Sequence, residues 1–212
     1  HPIDDVMPLF RTAWLLPISQ PPIRDAWLQT DQGRIVAFGH SRPGDCPASD
    51  EVDLGDVAVL PGLVNAHTHL ELSWMRGRIP ETNDFPGWIR SLIALSREVC
   101  PSTSEASHAV TEAVEECRAC GTAGVGDVSN SLETSDALVA AGMAAVVFHE
   151  LIEFRSADAN RIIGESTAGL QPRLTSPDVQ HTLAPHAPYP LTPHLAPHCT
   201  NRFCPGVTIN DF

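Results

Sequence analysis

From residue 57 to residue 185 the chain alternates short apolar runs with amphipathic stretches, and this rhythm restricts the fold more than any other feature. Val57–Val64 is a nearly continuous apolar run, the pattern of a strand covered on both faces. Residues 104–119 have helical spacing, with Ala109, Ala113, Val114 and Cys117 near one face. A strand is predicted at 122–128, then a helix at 133–141 closed by Gly142. Further strands are predicted at 144–152 and 179–185, with a helix at 157–170 between them. Strands and helices at this spacing predict an α/β fold with a parallel sheet or barrel.

A different pattern precedes it. Three strand-like runs at 9–16, 23–30 and 34–38 are separated by turn signals at Gln20-Pro21-Pro22 and Asp31-Gln32-Gly33. The second and third runs read as a hairpin. Residues 40–56, rich in Pro, Gly and Asp, read as a connector. The expected division is therefore 1–56, 57–192 and a tail at 193–212.

Composition removes several chemistries. All 13 basic residues are Arg, which excludes Schiff-base lysines, P-loop phosphate binding and a carboxylated-lysine metal bridge. A net charge of −13 argues against nucleic-acid polymers and anionic membranes as partners. Six scattered Cys in a 212-residue chain fit reduced thiols and a cytoplasmic location. Cys117 and Cys120 form a CxxC without a second pair at zinc-ribbon spacing, and they read as a helix end.

The chemistry concentrates in VAVLPGLVNAHTHLELSWMRG, residues 57–77. His67 and His69 follow the buried strand two residues apart, so period-two geometry points both imidazoles the same way. Two neutral imidazoles on one face suit a divalent zinc or iron ion, and a strand's carboxyl end is where parallel folds place their sites. A bare HxH is also common in solvent-facing loops. Here the strand, Pro61-Gly62 and Asn65 favour the metal reading.

These residues, with FPGWIRSLI (85–93), GTAGVGDVSN (121–130), VVFHELI (146–152) and LAPHAPYPLT (183–192), resemble the amidohydrolase superfamily. The branch is that of cytosine deaminase, S-adenosylhomocysteine deaminase and chlorohydrolase, and HTHLELS with Phe-x-x-Trp-Ile looks closest to aminodeoxyfutalosine deaminases. The resemblance implies a (β/α)8 barrel with a small β-sandwich, of which this chain would carry about four βα units and part of the sandwich. It implies one divalent metal ion, zinc or iron, on His67 and His69, with His186 aimed at the substrate from strand four. Glu71, Trp88 and Glu150 would line the same mouth as substrate contacts. The implied reaction is hydrolytic deamination of a purine, pyrimidine or aminodeoxyfutalosine-like small molecule.

Family members carry a further His-x-x-Glu, a His and an Asp ligand downstream, and none is present here. The chain begins at His1 rather than Met, and Pro193, Pro197 and Pro205 oppose the helix expected after residue 192. A truncated or frame-shifted reading frame is expected, with weak zinc binding, no turnover by the chain alone, and self-association as a homo-oligomer through uncovered edges. Two alternatives stay open. One is a non-catalytic remnant of the same fold; the other is a cytidine-deaminase-type zinc enzyme reading His69-Leu70-Glu71 as its HxE.

Overall fold

A computed structural model describes residues 7–41, 51–151, 159–170 and 176–185. The chain divides into two compact units, one ending at Gly62 and the other starting at Leu63.

The first unit is a five-stranded sheet. Strand β2 (Ile23–Asp31) pairs antiparallel with both β1 (Leu9–Leu15) and β3 (Arg34–His40). Gln32 and Gly33 take positive φ in the β2–β3 turn, as a tight hairpin requires. The segment expected as a bare connector contains β4 (Glu51–Asp53), which pairs parallel with β1; residues 42–50 lie outside the described set. Strand β5 (Ala58–Val59) also pairs parallel with β1. Leu15, Ala26 and Leu28 form the small core, packed by Phe10, Ile23 and Val59.

The expected single strand at Val57–Val64 is two strands. Pro61 has no N–H to give a ladder, and with Gly62 it ends the run. Residues before it belong to β5, and those after it open β6 (Leu63–Thr68) in the second unit. Nor is β6 covered on both faces, since Leu63 is 62% and Val64 50% exposed.

The second unit has a parallel sheet in the order β6-β7-β8-β9. The other strands are β7 (Thr122–Ser129), β8 (Ala144–Leu151) and β9 (Val179–Pro185). After β6 come a 3-10 turn at Leu70–Met75 and helices α1 (Phe85–Glu98) and α2 (Thr103–Ala119). Helix α3 (Thr134–Ala141) joins β7 to β8, and α4 (Ala159–Leu170) joins β8 to β9. Local chemistry sets the ends: Ser102 Oγ accepts the Glu105 N–H at the start of α2, and Gly142 takes the left-handed conformation after α3. Val114, Leu138, Val125, Val147 and Val179 are essentially solvent-free and form the core between helices and sheet. Helix α1 has no buried residue, and Phe85 and Trp88 stack on each other with ring centroids 6.0 Å apart.

Strand β6 meets β7 irregularly. Asn65 pairs with Val125 and Thr68 with Asp127, so two residues of β6, Ala66 and His67, face the single residue Gly126. Such a bulge re-aims side chains. It needs a glycine opposite: a Cβ on Gly126 would lie 2.5 Å from the Ala66 carbonyl oxygen and 3.2 Å from the Phe148 ring. Gly126→Ala is expected to lower stability by about 1–3 kcal/mol through overpacking, as read by urea unfolding.

Candidate metal and hydrolytic site

The carboxyl ends of β6, β7 and β8 carry the polar side chains. His67 lies inside β6 rather than past it, and His69 caps the 3-10 turn. Their ring centroids are 5.1 Å apart with planes at 78°. Zinc–nitrogen bonds of about 2.0–2.1 Å in a tetrahedral arrangement put two coordinated imidazole centroids about 5 Å apart, so the pair fits one ion. Among the described residues no group of three His, Cys, Asp or Glu converges for a metal.

Glu71, predicted to contact substrate, faces the β7–α3 loop. It accepts from Ser129 Oγ at 2.8 Å, Ser131 Oγ at 2.7 Å, and the Asn130 and Ser131 amides at 2.9 Å each. Burial opposes its ionisation, but the donors of Ser131, Asn130 and Ser129 outweigh that and hold the carboxyl below the ordinary glutamate value. Asn130 Nδ2 lies 3.4 Å from both Glu71 Oε1 and Glu150 Oε2, so Glu71 and Glu150 meet through one amide. Trp88 lies on α1, where its ring stacks on Phe85. His186 lies outside the described residues, as do His194, His198, Cys46, Cys199 and Cys204.

Asp127 lies near the carboxyl end of β7. Fully buried, its Oδ1 accepts the Leu70 N–H at 2.8 Å. Oδ2 has no hydrogen bond among the described residues; the Thr134 hydroxyl is close enough to favour the charge but outside bonding geometry. Burial raises the carboxyl to about 6, against the opposing effects of Leu70 and Thr134 and with a further push from Glu71. A raised carboxylate pKa means the folded state holds the proton more tightly than the unfolded chain. Asp127 therefore favours folding most below the ordinary value near 3.8, and its contribution falls as pH rises through about 6. Asp127→Asn is expected to flatten that component and to gain on the order of 1–3 kcal/mol relative to wild type between pH 4 and pH 7, measured by denaturation at each pH.

Ser129, Asn130 and Ser131 were not singled out as functional from sequence, although Ser129 and Asn130 close the GTAGVGDVSN segment. Cys117 and Cys120 are free thiols at the end of α2, and burial pushes the Cys117 thiol up, away from nucleophilic or ligand chemistry.

The fold and site thus define a parallel α/β protein whose polar groups gather at the strands' carboxyl ends. No family model matches the chain. It is 31% identical over 152 residues to a 5-methylthioadenosine/S-adenosylhomocysteine deaminase of Halobacterium salinarum, covering 68% of this chain and 32% of that protein. Its fold is similar to the Helicobacter pylori aminofutalosine deaminase in complex with methylthio-coformycin (TM-score 0.74, 22% identity, 89% of this chain and 46% of that one). It is also similar to the zinc-complexed atrazine chlorohydrolase TrzN of Arthrobacter aurescens TC1 (TM-score 0.74, 20% identity, 92% and 51%). The chain is thus similar in sequence to deaminases and in fold to members of the amidohydrolase superfamily. It spans less than half the length of the curated relatives it matches and about half of the solved chains.

Proposed function

We propose that this sequence forms part of a metal-dependent hydrolase that deaminates a small molecule by attack of water on an sp² carbon bearing an amine. The 5.1 Å pairing of His67 and His69 at the carboxyl end of β6 carries the reading. On this reading the four parallel strands are four of the eight of a (β/α)8 barrel, and the first sheet is part of a β-sandwich. His67 and His69 would hold one divalent ion, zinc in preference to iron. When bound, the ion supplies Lewis acidity sufficient to activate water near neutral pH. Glu150 near the end of β8, whose carboxylate lies 3.4 Å from the Asn130 side-chain amide, is proposed as a substrate contact. His186 follows β9 directly in the chain and is proposed to contact the substrate. Water adds to the carbon, the C–N bond breaks, and ammonia leaves with the proton. The relatives' names favour an adenosine-type nucleoside as the substrate class. A cytoplasmic site of action fits the thiols; among the described residues no helix is long and apolar enough to cross a membrane.

A second reading, a non-catalytic remnant, draws on the lack of a third converging ligand among the described residues. The cytidine-deaminase alternative would need Cys117 and Cys120 as metal ligands beside His69, and among the described residues these thiols form no such group with it. Ammonia release from methylthioadenosine and S-adenosylhomocysteine tests the choice. The 212-residue chain alone is expected to give no turnover. A protein carrying this sequence with a complete barrel is expected to be zinc-dependent and to lose activity at least 100-fold on His67→Asn. Zinc-independent turnover, or wild-type turnover by the variant, overturns the proposal.

A further inference from the structure

We infer that Glu71 and Asp127 are positioning residues that fasten the His69-bearing turn to the end of β7, and that Glu71 is not a substrate contact. The inference rests on the reading of His67 and His69 as a metal pair. His69 belongs to no strand; it precedes a six-residue 3-10 turn, too short to hold its own geometry. Three anchors act within two residues of it. The Leu70 side chain is 3% exposed and packs into the core with Val110, Val125 and Leu132. The Leu70 N–H donates to the fully buried Asp127, whose backbone pairs with Thr68 beside the bulge. Glu71 collects four donors at 2.7–2.9 Å from Ser129, Asn130 and Ser131, which close β7 and start the loop to α3.

This arrangement leaves Glu71 little capacity for a ligand. A carboxylate has about four lone-pair sites; Oε2 accepts three donors at 2.7–2.9 Å, and Oε1 accepts the Asn130 amide N–H at 2.9 Å and its side chain at 3.4 Å. All these donors come from the end of β7 and the loop that follows it. The direction of the carboxylate is therefore explained without any substrate. What the bonds do is set the path of the backbone between His69 and Leu72. An imidazole that must share an ion with a neighbour needs its ring placed within about 0.5 Å. His67 has its own support from the bulged ladder opposite Gly126. His69 has the carboxylate fastenings instead. The same loop carries Asn130, so removing Glu71 also frees the amide that reaches Glu150.

The test is cobalt and zinc affinity of the 212-residue chain, measured by competition with a chromophoric chelator, alongside circular dichroism and hydrogen exchange of the metal-free chain. Glu71→Ala is expected to weaken metal binding at least ten-fold. Exchange in residues 69–73 should rise by a similar factor, with exchange in β8 unchanged. Glu71→Gln keeps one acceptor oxygen but turns its NH2 toward the Asn130 or the Ser131 N–H, so it should recover only part of the affinity. Ser129→Ala with Ser131→Ala removes donors from the other side, is milder to the fold, and should weaken binding three- to ten-fold. If Glu71→Ala and the serine pair bind metal like wild type while His67→Asn with His69→Asn does not bind, the positioning role is overturned and the metal pair stands. If wild type and the double histidine variant bind alike, or neither binds, the metal reading fails and the inference with it.

Discussion

Leu138→Ala is expected to cost about 2–5 kcal/mol of folding stability, the range for a large-to-small change in a closed core. Leu138 has no exposed surface and sits on α3 facing β8 and β9, among Val147, Val179 and Met143. Its carbonyl also receives the Met143 N–H that closes the helix behind Gly142. The neighbouring Val139 is half exposed on the same helix, and Val139→Ala should change stability by no more than about 0.5 kcal/mol. Against a total of about 5–15 kcal/mol, the first change is large enough to unfold a fraction of the protein near 37 °C. Urea midpoints of the two variants read the helix orientation directly. Equal midpoints would mean that α3 does not present Leu138 to the sheet.

The parallel sheet was legible because burial on both faces leaves an apolar signature that needs no partner to interpret. Thr122, Ala144 and Val179 start strands where the composition changes, and Gly142 ends α3 where a left-handed residue is needed. The split between β5 and β6 was harder. Apolar residues flank Pro61 on both sides, and nothing local says that they join different sheets. Helix α1 carries a start signal in Pro86, but Gly87 beside it and the aromatic pair at Phe85 and Trp88 read equally well as a loop motif.

The site shows the same limit. His67 and His69 are two residues apart, so closeness in sequence was enough to bring them together, although His69 lies past β6 and not in its period. Glu71 was legible as polar and near the histidines, but its direction depends on Ser129 and Ser131, 58 and 60 residues away. Asp127 was legible only as a polar residue within the GTAGVGDVSN segment. Its partner, the Leu70 amide, is 57 residues distant and leaves no local trace.

The second large effect concerns the histidines. Replacing both His67 and His69 by Asn keeps side-chain size and polarity close while removing the imidazole nitrogens. The backbone of β6 should be indifferent, since His67 is exposed and its amide is held by the Asn65 side chain at 3.3 Å. Metal affinity should not be indifferent. A protein that supplies two ligands and loses both is expected to fall at least 100-fold in affinity, about 3 kcal/mol at ten-fold per 1.4 kcal/mol. The single variants should each lose at least ten-fold. Stability in the absence of metal should move by less than about 0.5 kcal/mol, which separates loss of ligands from loss of fold.

Cobalt titration of the wild-type chain and the double histidine variant, followed by visible absorption, measures the central claim most directly. Wild type should bind one equivalent, weakly, and develop the intense visible bands of low-coordinate cobalt with nitrogen ligands. The double variant should show only the pale spectrum of hydrated cobalt. Identical spectra from the two proteins, or bands that survive in the variant, would contradict a metal centre on His67 and His69.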